Sequence, residues 1–290
     1  MTQQNPASRR PGLACAVAAL SAALVLAPAA SAAADTSTAT ATAVDVKALG
    51  TAAVSTGVSS ADNTGEPPAT VVSPAPLTAL PGQNLVTGGV MAQHARAGSD
   101  GTSAACAGVL SSGGSLSVGS TGECTRSGTA TGGVVLTLVP ALGLVPATQV
   151  RADAIVSSCT ARSDGTAVPK VQLVGAGVYV GTVKTFDLTA LLAAGTTSVT
   201  VPGVATLGLA ATSTSGGKAT ATALTVKLLS GALDAQIATV SCGQNVRVMP
   251  TPALPLQGLP LAAGFLAVAG VVAHRRGLLT REALKAVVRR

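Results

Sequence analysis

Four cysteines carry the most definite chemistry in this 290-residue chain: Cys106, Cys124, Cys159 and Cys242. The fifth, Cys15, falls in an N-terminal apolar stretch and reads as one more apolar residue there. No two of the four stand at the two-to-four-residue spacing of a zinc site, and an even number of such thiols points to two disulfides in an oxidising compartment. Cys106 and Cys124 bracket a Gly/Ser-rich excursion, while Cys159 and Cys242 each end a strand-like run. The expected pairs are therefore Cys106 with Cys124 and Cys159 with Cys242, among the three connectivities open to four cysteines. Each bond should contribute about 3–5 kcal/mol by restricting the unfolded chain.

The remaining reactive residues do not converge. His94 is one of only two histidines and the other, His274, lies in the C-terminal tail. A Ser-His-Asp device would thus need His94 with Asp100 or Asp153, yet no serine is marked as a nucleophile by a Gly-x-Ser-x-Gly turn between strand and helix. His94 itself sits in an alternating run and reads as an exposed strand histidine. Asp153, Asp164, Asp187 and Asp234 are isolated, so no carboxylate pair suggests glycoside hydrolysis. Closely spaced acids of the calcium-loop type are absent as well. No catalytic, cofactor-binding or metal-ligating residue is assigned; the expected function is a non-catalytic surface protein making structural or adhesive contacts, and a secreted enzyme or ligand binder with an unrecognised site is the alternative.

The elements that must carry the cysteines are short and β-like. Period-two or continuous β-branched runs bounded by Gly-rich turns occur at 85–96, 102–110, 134–139, 149–162, 166–174, 177–186, 199–211, 218–229 and 235–242. Ser213 to Gly217 reads as a hairpin loop, and residues 187–194 have helical spacing for one or two turns. Ala95-Arg96-Ala97-Gly98-Ser99-Asp100-Gly101-Thr102 is echoed by Ala161-Arg162-Ser163-Asp164-Gly165-Thr166, which two hairpin tips using the same Asp-Gly turn would explain. Upstream, the Ala/Thr/Ser run at 33–41 reads as a tether and 44–47 as a short edge strand, followed by a Pro-rich loop at 66–81. The whole predicts an all-β sandwich or flattened barrel over 42–248, with a thin core of Val, Leu and Ala. The only aromatic rings available to it are Tyr179 and Phe186.

Both ends read as addresses. Arg9 and Arg10 precede an apolar stretch from Leu13 to Leu26 and the small-x-small sequence Ala30-Ser31-Ala32. This is the layout of a signal peptide over 1–32, cleaved between Ala32 and Ala33. Its helix would reach only about 21 Å, short of a bilayer core of about 30 Å. At the other end a linker at 249–253 leads into an apolar segment at 254–273, long enough for one transmembrane helix. Arg275 and Arg276 then act as a stop-transfer signal at the start of a basic tail, 274–290. The formal charge of +7 is concentrated in these two ends. Residues 33–253 hold ten cations and ten acids, so nucleic acid is not expected as a partner.

Leu254-Pro255-Leu256-Gln257-Gly258, followed by apolar residues and arginines, resembles a sortase sorting signal of the Leu-Pro-x-Thr-Gly type, with Gln257 at the threonine position. Plain membrane retention is the expectation and sortase transfer to the wall is the alternative. The overall layout resembles actinobacterial exported surface proteins of the choice-of-anchor and Leu-Ala-Glu-Thr-Gly-anchored groups. The residues that carry this are the Val150–Cys159 strand, Val199-Thr200-Val201-Pro202-Gly203, residues 219–227, and Ala238-Thr239-Val240-Ser241-Cys242. The resemblance implies a membrane-anchored envelope protein with its β domain outside the cell, in contact with the membrane and with other envelope components, and without a cofactor.

Overall fold

The structure, a computed structural model, describes residues 35–48, 54–81, 83–128, 132–231 and 233–247. All of them belong to one compact unit, Ala33–Met249. The expected signal segment with Ala32 and Ala33, the expected linker at 249–253, the apolar segment at 254–273 with its sorting-like motif, and the tail with Arg275 and Arg276 lie outside the described residues. Among the described residues no helix is long and apolar enough to cross a membrane.

The unit is almost wholly antiparallel β-sheet, as its alternating apolar pattern requires. One sheet runs in the order β16 (Ser198–Val201), β17 (Ala205–Ser215), β18 (Lys218–Leu228), β19 (Leu233–Cys242), β1 (Ser37–Ala48) and β2 (Val54–Ser55). The strand β3 (Ser59–Asn63) also pairs with β1. Facing it are β13 (Ala167–Val174), β12 (Ala154–Ala161), β7 (Ser103–Leu110), β6 (Val90–Ala97) and β4 (Thr70–Val72). A third ladder has β15 (Val183–Asp187), β14 (Gly177–Val180), β11 (Thr148–Ala152), β10 (Val134–Val139) and β5 (Val86–Gly88). The one described helix, α1 (Leu188–Ala193), is capped by the Asp187 carboxylate, which accepts from the Ala190 amide at 2.9 Å.

The second and third ladders are one bent sheet. At Asp153, between β11 and β12, hydrogen bonding carries on through Asp153 N–H to Val174 O at 2.8 Å and Ser111 N–H to Asp153 O at 3.2 Å. Between β5 and β6 the bend needs Gly89, whose φ is +108° and whose Cβ, if present, would sit 2.7 Å from the Leu110 carbonyl. Here β7 ends and β10 takes over its lane. The intervening excursion carries the hairpin β8 (Ser115–Val118) and β9 (Cys124–Ser127).

Alanine sets the thickness of the sandwich. Ala39, Ala41, Ala95, Ala97, Ala105, Ala107, Ala219 and Ala221 all lie in the core. With such short side chains, Cα atoms of β1 come within 8 Å of those of β6 and β7, and those of β19 within 8 Å of β7 and β12. Stacked sheets ordinarily stand about 10 Å apart.

Several expectations are corrected. Of the supposed tether at 33–41, residues 37–41 open β1, a central strand: Ala39 pairs with Cys242 on one side and Ala61 on the other. The Ala/Thr alternation places alanines in the core and threonines outward, so small side chains here serve close packing. Residues 44–47 accordingly belong to a strand flanked on both sides, not to an edge. Ser213 to Ser215 stay within β17, and the turn is Gly216-Gly217 alone. The Pro-rich loop at 66–81 holds β4 and a bridge from Leu77 to Met91.

Candidate functional site

Both expected disulfides form, Cys106–Cys124 and Cys159–Cys242, with Cα separations of 5.9 and 5.8 Å. Their roles differ because of where the strands put them. Cys159 on β12 and Cys242 on β19 point into the core, so their bond ties the two faces of the sandwich together. Cys106 points to the opposite side of its sheet. Its bond draws β9 back over β7, and the hairpin closes a separate small core with Ala92, Ala104, Leu110, Leu116, Val118 and Val156.

Under this hairpin lies His94. Its register partner on β7 is Cys106, and the imidazole is only 8% exposed. The expectation of an exposed strand histidine fails because a segment more than twenty residues further along the chain covers it. Neither ring nitrogen has a hydrogen-bond partner. Burial favours the neutral ring and lowers its pKa; the backbone at Leu116 opposes this, and the charge of Arg96 adds to the lowering. No serine or carboxylate hydrogen-bonds to His94, so Asp100 and Asp153 do not assemble a triad with it.

On the same outer face an open trough of about 460 Å³ runs along β12 and β13. The loop before Cys124 forms one wall, where Glu123 accepts from the Thr121 hydroxyl, an interaction that lowers the Glu123 pKa. Ser158, Thr160, Arg162 and Lys170 line the rest. Next to it, beyond Gly122, a smaller hollow is lined by Arg96, Asp100 and Thr102. These surfaces can hold polar groups, but they present no general acid–base pair. Among the described residues no cluster of three His, Cys, Asp or Glu could hold a metal ion.

The two echoed loops prove to be neighbours. Asp100 Oδ1 accepts from the Thr102 amide at 3.0 Å and Asp164 Oδ1 from the Thr166 amide at 2.8 Å, the same Asx turn in each hairpin. Gly101, at φ +72°, lies so close to the other tip that a Cβ would be 2.7 Å from that of Ser163. Both aspartates thus serve their own turns.

The residues missed in the sequence are polar ones in the interior. Ser103 and Asn245 lock the end of the sandwich: Asn245 donates to Ala161 O at 2.8 Å and accepts from the Ser103 hydroxyl at 3.1 Å, which in turn accepts from the Gly243 amide at 3.1 Å. Ser103 is fully buried in a run otherwise made of small apolar residues. No protein-family model matches this chain, and neither a curated protein nor a solved structure does.

Proposed function

We propose that the chain is an exported, membrane-anchored envelope protein whose β domain makes structural or adhesive contacts and performs no catalysis. The observation that carries this reading is the pair of disulfides, one of them crossing the core, which fits an oxidising exterior. The domain's two ends meet, too: Thr36 and Val246 exchange backbone hydrogen bonds at 2.9 and 3.1 Å. A domain with joined ends is suited to display from a single stalk, because its free surface lies elsewhere.

Fractionation of the native host with a tag after Arg290 tests the proposal. The expected result is a tagged protein that leaves the membrane with detergent. A mature protein lacking everything after Gln257 and released only by wall hydrolysis would replace membrane retention by sortase transfer. A tagged protein found wholly in the soluble cytoplasm would overturn export itself.

A further inference from the structure

The turn between β10 and β11 departs from ordinary hairpin chemistry. Hairpin tips exposed to water are usually Gly, Asn, Asp or Ser. Here residues 139–147 read Val-Pro-Ala-Leu-Gly-Leu-Val-Pro-Ala, without a single hydrogen-bonding side chain. Leu142 is 66% exposed, Val145 59% and Leu144 fully, and Val183 on the neighbouring β14–β15 turn is 65% exposed. This concentrates four of the large exposed apolar side chains at one end of the bent sheet.

The tip is also preformed. Leu142 and Val145 exchange backbone hydrogen bonds at 3.1 and 2.9 Å around Gly143, which takes a φ of +56°. Pro140 and Pro146 lack the N–H that water would otherwise have to solvate. Behind Pro146 the neighbouring turn packs close, with the Gly181 amide donating to Ala147 O at 2.8 Å. Below the tip, on the solvent face, the Arg151 guanidinium lies 4.9 Å from the centre of the Tyr179 ring and donates to Gly181 O at 2.8 Å. Lys184 is the register partner of Tyr179. Between Gly132 and Ala152 the only charged side chain is Arg151.

We propose that the Leu142–Val145 turn is a lipid-insertion tip: its apolar side chains enter the acyl boundary of a bilayer while Tyr179, Arg151 and Lys184 lie at the headgroups. A tip with no donor or acceptor side chains has little to offer a directional protein contact, and the mutual pairing of the Leu142 and Val145 backbones lowers the cost of its entering an acyl boundary. An aromatic ring and cations just behind an apolar tip match the composition of a membrane interface; Lys184 is paired with Asp187 at 2.6 Å, which leaves Arg151 as the cation free of an acidic partner there. The tip stands far from where the chain enters and leaves the domain. The β11–β12 lane from Thr148 to Ala161 follows a path of roughly 45 Å at about 3.3 Å per residue, bent at Asp153. Its far end, the Arg162–Thr166 turn, is the one beside Gly217 and Asp35. The proposal rests on the exported, anchored reading, and it gives that display a target: a lipid layer other than the one holding the stalk.

The test uses the full chain reconstituted in liposomes, with Leu144→Trp as a probe, since the protein has no tryptophan of its own. Protein-free vesicles of mixed zwitterionic and anionic lipid are then added. Flotation of the protein with its own liposomes reports the anchor. A blue shift of Trp emission and capture of the added vesicles report the tip. The expected result is a blue shift together with capture that falls at least tenfold in Leu144→Asp and is unchanged in Val58→Asp, a control at another exposed apolar site. Flotation without any lipid-dependent shift, or equal capture by Leu144→Asp, would overturn the tip while leaving the anchor standing. A shift that follows protein concentration and not lipid would also overturn it, in favour of contact between copies of the chain. Loss of flotation with the lipid-dependent shift retained would overturn the anchor alone.

Discussion

The hydroxyl of Ser157, on β12, donates to the carbonyl oxygen of Ala238, on the facing strand β19, at 2.6 Å across the interior of the sandwich. Ala238 has a φ of +57°, and so has its near counterpart Ala210 on β17 at +49°. Regular pairing flanks this place on every lane: Thr42 with Thr239 and Val44 with Ile237, Thr222 with Thr239 and Leu224 with Ile237, Leu209 with Leu224 and Ala211 with Thr222. Ala43, Ala238, Ala223 and Ala210 thus form a row where the sheet bends and its ladder is interrupted. Backbone groups released there are met from the other sheet. Ser157 serves the Ala238 carbonyl, and Gln93 Oε1 accepts from the Ala43 amide at 3.0 Å.

Ser157→Ala removes that donor and leaves a buried carbonyl unpaired, which should cost about 1–3 kcal/mol. Gln93→Leu should cost less, about 1 kcal/mol, because the Ala43 amide loses its bond to Gln93 Oε1 at 3.0 Å but keeps the Thr56 hydroxyl oxygen as an acceptor at 3.2 Å. Urea midpoints with the disulfides intact give the measurement. Stabilities equal to wild type in both variants would show that the bent row needs no help from the facing sheet.

His94 makes stability depend on pH. Its folded pKa lies below the ordinary 6.5 because burial under the β8–β9 hairpin disfavours the charged ring. The unfolded chain therefore binds the proton first, so stability is full above about pH 6.5 and declines as pH falls below it. His94→Gln cannot take up this proton and should be the flatter of the two between pH 7 and pH 5. Comparing urea midpoints across that window checks it. Parallel slopes would mean that the imidazole is solvated in the fold.

Much of this architecture is readable from spacing alone, and the exceptions have physical causes. Cys106 and Cys124 were enough to pair from their Gly/Ser-rich surroundings, and the Asp-Gly echo correctly marks two turns. Residues 37–41 mislead because Ala and Thr are weakly apolar one by one; their period of two, continued by Ala43 and Val44, is the signal that a strand is present. His94 misleads because a strand's own alternation cannot say whether its outer face is covered. The pairing of its neighbour Cys106 with Cys124 carries that information, since it must fold the intervening hairpin back over β7. Gln93 falls in step with Met91 and Ala95, and Ser157 with Ile155 and Cys159. Their polarity suggests the surface, while their period places them in the core.

The two disulfides should differ in weight and in reach. Closing 83 residues, Cys159–Cys242 should contribute about 4.5 kcal/mol, and Cys106–Cys124, closing 18, about 3 kcal/mol by the loop-entropy relation. Replacing Cys159 and Cys242 by alanine should lower the global unfolding midpoint. Replacing Cys106 and Cys124 should chiefly release the hairpin, seen as faster amide exchange at 115–127 with the main sheets still protected. Equal loss of protection across all sheets in the second variant would join the hairpin to the global folding unit.

Removing residues 33–41 decides between a tether and a strand. A chain in which residue 32 is followed directly by Thr42 loses the pairs from Ala39, Thr40 and Ala41 to β19, those from Ser37 to Ala41 to β3, and the core positions of Ala39 and Ala41. It also loses the Ser37 hydroxyl, which donates to Gly98 O at 2.7 Å and holds the β6–β7 turn. The exposed edge of β19 would then be open to pairing with other chains. The expected outcome is aggregated or non-cooperatively unfolding protein at 25 °C, measured by size-exclusion chromatography and urea titration. A monomer with the parent's midpoint would mean that β19 does not need its neighbour, and the central place of β1 in the sheet would carry no stability.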